Sequence, residues 1–206
     1  MKKCCNFSTP VIIVGAVVLF VIILGGVCIW KVKEISHNER KGGFASCGKT
    51  QQDALIKNEV QSAVSMLQAL VDKTKTGELT TKQAQKIGAD TLRAMRYDDG
   101  AGYFWADTKE GVNVVLYGDK TVEGTNRYEN QANGIFYVKE IIKAGLLPNG
   151  GYAEYFYHKQ NETENKAKRS FSMYFAPFNW VVGTGYYLED VSVGCMGNLG
   201  GKCGRW

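Results

Sequence analysis

The sequence predicts an α+β domain, with helices first and an antiparallel sheet after them, preceded by one membrane-spanning helix. Three observations carry that expectation. Pro10 to Trp30 is almost continuously apolar, with no charged residue between Lys3 and Lys31. From Gln51 to Lys75 the apolar residues Ile56, Val60, Ala63, Val64, Leu67, Leu70 and Val71 recur at three and four, as on a helix lying against a core. After Asp98-Asp99-Gly100 the repeat shortens towards two, the period of strands. Helices gathered ahead of strands suit packing on one sheet, in contrast to the alternation that builds parallel sheets.

About 20 apolar residues rising about 1.5 Å each cross a hydrocarbon core of about 30 Å. Residues 11–30 therefore read as a transmembrane helix behind a short tail, residues 1–10. A cleaved signal peptide is the competing explanation, but its apolar centre is usually shorter and Gly25-Gly26-Val27 is only a fair cleavage site. Lys2 and Lys3 precede the span while Lys31, Lys33, Arg40 and Lys41 follow it, so charge alone sets no orientation. Gly42-Gly43 breaks the polar stretch before the long helix. Gly77 ends that helix, and Thr80 with Gln83 forms a capping box for a second, running to about Arg96 and burying Ala84, Ile87, Thr91 and Met95. Tyr103 to Trp105 and Val112 to Leu116 read as paired strands around an Asp107–Gly111 turn, followed by a polar loop, Tyr117 to Gln131. Asn133 to Ala144 reads as a helix closed by Gly145. Tyr152 to Tyr157, Ser170 to Phe175 and Trp180 to Leu188 complete the strands, the first two joined by a charged loop, His158 to Lys168. Gly194 to Trp206, rich in Gly and Cys, fits neither helix nor strand.

Composition narrows the function classes. With 45% hydrophobic and 22% charged residues the chain can bury a core. A net charge of +5 spread without a basic block argues against nucleic acid as a partner. The two histidines, His37 and His158, have no ligand-spaced Cys or carboxylate beside them, so neither a metal nor another cofactor is expected. No nucleophile elbow, phosphate loop or dinucleotide fingerprint is present, and Asp98-Asp99 is better explained as a turn than as a catalytic pair; the chain reads as a binding protein and not an enzyme. Binding chemistry is richer. Tyr103, Trp105, Tyr117, Tyr155 and Tyr186 can wall a pocket and offer hydroxyl or indole groups. Arg96, Arg127 and Lys168 can donate charge-assisted bonds to a small anion. The same aromatics would fill the core of any sheet domain, and the residues alone leave both possibilities open.

The run Phe178-Asn179-Trp180-Val181-Val182-Gly183-Thr184-Gly185-Tyr186-Tyr187-Leu188-Glu189-Asp190, read with Leu92-Arg93-Ala94-Met95-Arg96-Tyr97 and Gly102-Tyr103-Phe104-Trp105, resembles the single-Cache sensor family. That family supplies extracytoplasmic input domains of bacterial chemoreceptors and related signalling proteins, and the resemblance covers roughly residues 34–193. It implies a PAS-like sheet, a periplasmic or extracellular domain on a single-pass inner-membrane protein, and a pocket lined by Tyr103 to Trp105, the next strand, the loop after it and the strand beginning at Lys168. It also implies small organic acids as ligands, with urea-like amides as outliers, and a homodimer formed along the long helix. Where the family usually has His-Pro, this sequence has Tyr117-Gly118. Family geometry could bring Cys47 near Cys195, and whether they form a disulfide is left open. No second apolar span follows, which leaves a truncated receptor, a gene fragment or an input subunit for a separate signalling partner as readings. An anchored metabolite-binding protein without signalling, or a structural envelope protein, are the alternatives.

Overall fold

The computed structural model describes residues 48–191. The expected membrane span, the Cys47–Cys195 bridge and the Gly-rich tail lie outside them. Among the described residues no helix is long and apolar enough to cross a membrane. Helix α1 runs over residues 48–75 and buries Ile56, Val60, Ala63 and Leu67, the stripe that its periodicity predicts. Helix α2, Thr81–Ala94, opens on the expected capping box: Thr80 Oγ1 accepts from the Gln83 amide at 3.3 Å, and Gln83 Oε1 accepts from the Thr80 amide at 2.8 Å.

The buried face of α2 differs from expectation. Ala84, Gly88 and Leu92 are buried, while Ile87 is 40% exposed. Gly88 sets this face. A Cβ there would stand 2.7 Å from Leu67 Cδ2 and 3.5 Å from Trp180 Cζ3, so the bare backbone is what lets α2 close on α1 and the sheet. The helix also stops at Ala94, two residues before the expected end, because Met95 turns extended and Arg96–Tyr97 forms strand β1 against β2, Gly102–Tyr103.

The main sheet holds β3 (Trp105–Thr108), β4 (Asn113–Leu116), β5 (Gly151–His158), β6 (Asn165–Phe175) and β7 (Trp180–Tyr187). Its order is β4-β3-β7-β6-β5 and every pairing is antiparallel. The expected loop from His158 to Lys168 is shorter than predicted, because the β5–β6 ladder continues to His158 opposite Asn165 and takes Lys166 and Lys168 into strand. Their charges suggested a loop, whereas alternation along β6 puts Lys168, Ser170 and Ser172 on one face and Arg169, Phe171 and Met173 on the other.

Two layers cover the sheet. On one face α1 and α2 pack over Phe104, Ala106, Val115, Phe171, Phe175 and Val182. On the other lies helix α3, Tyr137–Gly145, burying Val138, Ile141 and Ile142 against Trp105, Tyr155 and Val181. It begins later than the expected Asn133, since Asn133 and Gly134 take φ of +49° and +78°, outside the right-handed helix. Gly145 ends the helix without a left-handed cap; a Cβ there would stand 2.5 Å from Val181 Cγ1, so it serves close packing. A polar cluster ties α1 to the sheet: Arg169 Nε and Nη2 donate to Asp53 Oδ1 and Oδ2 at 2.7 and 2.9 Å. Tyr186 Oη donates to Asp53 Oδ1 at 3.0 Å, and Tyr152 Oη to the Asp53 carbonyl at 2.9 Å.

Candidate functional site

On the α3 face the odd residues of β3 and β5 and the even residues of β6 converge beneath α3. Tyr103, Trp105, Leu116, Arg127, Tyr137, Ile141, Tyr155, Tyr157 and Lys168 enclose a cavity of about 20 Å³. That is room for about one water. A second hollow of about 210 Å³ shares Tyr103, Leu116 and Tyr157 with it and opens between Tyr117-Gly118-Asp119 and the 158–162 loop.

Lys168 is the central charge. It is 1% exposed, and its Nζ donates to Tyr103 Oη at 2.6 Å. Four rings surround it, with centroids 4.4 Å (Tyr103), 5.0 Å (Trp105), 5.6 Å (Tyr157) and 4.7 Å (Tyr187) from Nζ. Among the described residues no carboxylate reaches it. Quadrupoles and one hydroxyl soften the burial of an ammonium, but they do not neutralise it. Burial is the strongest single influence on the Tyr103 phenol and pushes it up, but Lys168, Tyr187 and Arg127 together hold it below the ordinary tyrosine value. Burial pushes the Tyr157 phenol up to about 12 and the Tyr155 phenol well above its ordinary value.

Arg127 is built differently. The loop that carries it is stitched to the β3–β4 turn by Asn113 N to Thr125 O at 2.9 Å and Arg127 N to Gly111 O at 2.8 Å. Its Nη2 donates to both oxygens of the fully buried Asp107, at 2.9 and 3.2 Å. The β3 register shifts between Ala106 and Asp107, and there Asn113 Nδ2 donates to Asp107 Oδ1 at 2.9 Å. Burial pushes the Asp107 carboxyl up, with Arg127 working against that push. Arg127 Nε and Trp105 Nε1 are buried with no partner, and both residues border the cavity; Ser172 Oγ on the same sheet face is likewise unpartnered.

Of the eight site residues expected from sequence, the fold brings Tyr103, Trp105, Arg127, Tyr155 and Lys168 together at the cavity. Tyr117 lines the outer hollow, its ring 5.6 Å from that of Tyr103. Arg96 lies outside the cavity, its guanidinium 3.2 Å over the Tyr117 ring. Gly118 beside it takes φ +82°, which proline cannot adopt, so this mouth is a glycine turn. Tyr186 faces α1 and bonds Asp53, away from the cavity. Its neighbour Tyr187 takes the site face, and with Tyr137 and Tyr157 it was missed. Alternation along β5 and β7 was the signal that could have found Tyr157 and Tyr187.

The chain matches the model of the Single Cache domain 2 family over residues 49–196, and it belongs to that family of sensor domains. It is 26% identical over 134 residues to the methyl-accepting chemotaxis protein McpP of Pseudomonas putida, a match covering 64% of this chain and 24% of that protein. It is 28% identical over 163 residues to the sensor histidine kinase MctS of Rhizobium johnstonii, covering 79% and 34%. The matched region thus spans between a quarter and a third of these relatives. Among solved structures, a periplasmic sensor domain of a chemotaxis protein superposes with a TM-score of 0.63 at 26% identity, covering 68% of this chain and 96% of that one. A Cache chemosensory domain studied for carboxylic acid recognition also superposes at 0.63, with 21% identity over 68% and 95% of the chains, and shares the fold.

Proposed function

We propose that this domain is the extracytoplasmic receptor for a small monocarboxylate in a membrane-anchored signalling protein, held by the apolar stretch Pro10 to Trp30. One observation carries the ligand class: Lys168 is a buried ammonium with no carboxylate partner, beside two further buried donors, Trp105 Nε1 and Arg127 Nε, that lack acceptors. An ionised carboxylate brings acceptors and a negative charge, and nothing else. A neutral amide would add donors of its own and leave the ammonium uncompensated, so acids are favoured over the urea-like amides. The small cavity favours the shortest acids, entering through the hollow at Tyr117-Gly118.

Binding in this reading stabilises one arrangement of the sheet and its loops, and α1 carries the difference towards the membrane and a signalling partner. The exposed side of α1 is available for pairing with a second copy. The test is a thermal-shift and calorimetric comparison of acetate and propionate with acetamide and propionamide, using the full-length chain. The acids are expected to raise the melting temperature by mass action and the amides to leave it unchanged. Lys168→Met is expected to abolish the acid response while melting no lower than wild type, because a buried charge without a counter-ion costs stability. Amides binding as well as acids, or wild-type acid affinity in Lys168→Met, would sink the proposal.

A further inference from the structure

Tyr103 borders three separate hollows. One is the inner cavity of about 20 Å³ at Lys168. The second is the outer hollow of about 210 Å³ at Tyr117-Gly118. The third, of about 90 Å³, is bordered by Gln52 and Ile56 of α1 and by Tyr97 and Tyr187. The residue belongs to the two-residue strand β2, beside the main sheet and not in its ladder. Its backbone is fixed, since the carbonyl of Tyr103 accepts from Thr184 Oγ1 at 2.5 Å. Its ring meets that of Trp105 edgewise and that of Tyr117 at a tilt, with centroids 6.2 and 5.6 Å away, and Lys168 Nζ stands 4.4 Å from its own centroid. The side chain therefore borders free volume in three places while its backbone is held. Its hydroxyl meanwhile occupies the place on Lys168 Nζ that a ligand oxygen would take.

We propose that Tyr103 is a movable partition: its hydroxyl stands in for the ligand on Lys168, yields that place to an entering carboxylate, and by the space its ring vacates sets the largest acid accepted. This rests on the acid-binding reading above. It follows from volume as well as from the hydrogen bond. A two-carbon acid exceeds the one-water cavity, and Tyr103 is the one side chain that borders all three hollows, Leu116 and Tyr157 being shared by the inner and outer ones alone.

The proposal makes Tyr103 a competitor of the ligand, the reverse of a simple binding residue. Calorimetric titration of the full-length chain with acetate, propionate, butyrate and valerate separates the two. Tyr103→Phe keeps the ring and removes the competing hydroxyl. It is expected to bind acetate about tenfold more tightly than wild type, the worth of one hydrogen bond to a charged group. Tyr103→Leu shortens the partition and is expected to shift the preference towards butyrate and valerate. Wild-type or weaker acetate affinity in Tyr103→Phe, or an unchanged chain-length preference in Tyr103→Leu, would overturn the partition while leaving the acid site standing. Should Lys168→Met bind acetate like wild type, or should no acid bind any of these proteins, the acid site falls and the partition with it.

Discussion

Lys168 and Tyr103 make the site sensitive to pH in a direction that can be worked out. The Tyr103 hydroxyl faces Lys168 from β6, Tyr187 from β7, Tyr155 and Tyr157 from β5, Tyr117 at the end of β4 and Arg127 from the loop before α3. Burial most strongly opposes its ionisation, but Lys168, the Tyr187 hydrogen bond and Arg127 together promote it, so the folded value lies below 10.0. A phenol depressed in this way adds stability above its unfolded value and loses it as pH falls through the folded value. For binding the consequence is opposite. Tyrosinate pairs with Lys168 and excludes a carboxylate. Acetate affinity is expected to fall as pH rises through the folded Tyr103 value, and to stay level in Tyr103→Phe over the same range. Equal slopes in the two proteins would show that Tyr103 does not titrate against the site.

The same scale shows what the sequence could say of the site. Lys168 and Arg127 were legible because a small anion calls for charge-assisted donors, and Tyr103, Trp105 and Tyr155 because large aromatics with polar tips suit a pocket. Tyr186 and Tyr187 were not separable. Which of two adjacent tyrosines faces the ligand depends on the register of β7 against β6, where Lys168 stands opposite Tyr187. A slip of one residue exchanges them. Likewise, nothing in the order of residues shows that Arg127 spends one nitrogen on Asp107, because that pair spans 20 positions and a register shift in β3.

At the scale of elements, periodicity located the helices and four strands of the main sheet, but β3 starts at Trp105, where the expected strand ends, and runs to Thr108; faces and ends were also misjudged where glycine decided. Ile87 looked like core because apolar residues were counted, whereas Gly88 determines how near α2 comes to α1. Gly145 looked like a cap, yet what it permits is contact with Val181 on the central strand. Gly145→Ala is expected to destabilise the fold by about 1–3 kcal/mol, since Val181 is β-branched, fully buried and unable to retreat. Urea denaturation measures this; an unchanged midpoint would mean that α3 can lift from the sheet at no cost. The strands β5 and β6 ran longer than their apolar residues suggested because the ladder is held by backbone bonds, which charged side chains such as Lys166 do not interrupt.

Across the whole molecule the sheet separates a ligand face from a helix face, and neighbouring residues serve one each. Lys168 lines the cavity with the Tyr187 ring 4.7 Å from its Nζ, while Arg169 and Tyr186 hold Asp53 in the second turn of α1. Asp53→Ala removes acceptors from two half-buried donors and is expected to cost about 1–3 kcal/mol. Acetate affinity should stay near wild type, because no residue of the cavity changes. In hydrogen exchange, acetate should slow the amides at the start of α1 in wild type and not in Asp53→Ala. Equal slowing in both would show that the helix senses the ligand by another route.

One consequence of that alternation reaches beyond the site. A single peptide unit separates Lys168 from Arg169, the fork that grips the helix. In the proposed receptor, word of occupancy would therefore need only the β6 backbone and one ion pair to reach α1, and no large domain movement.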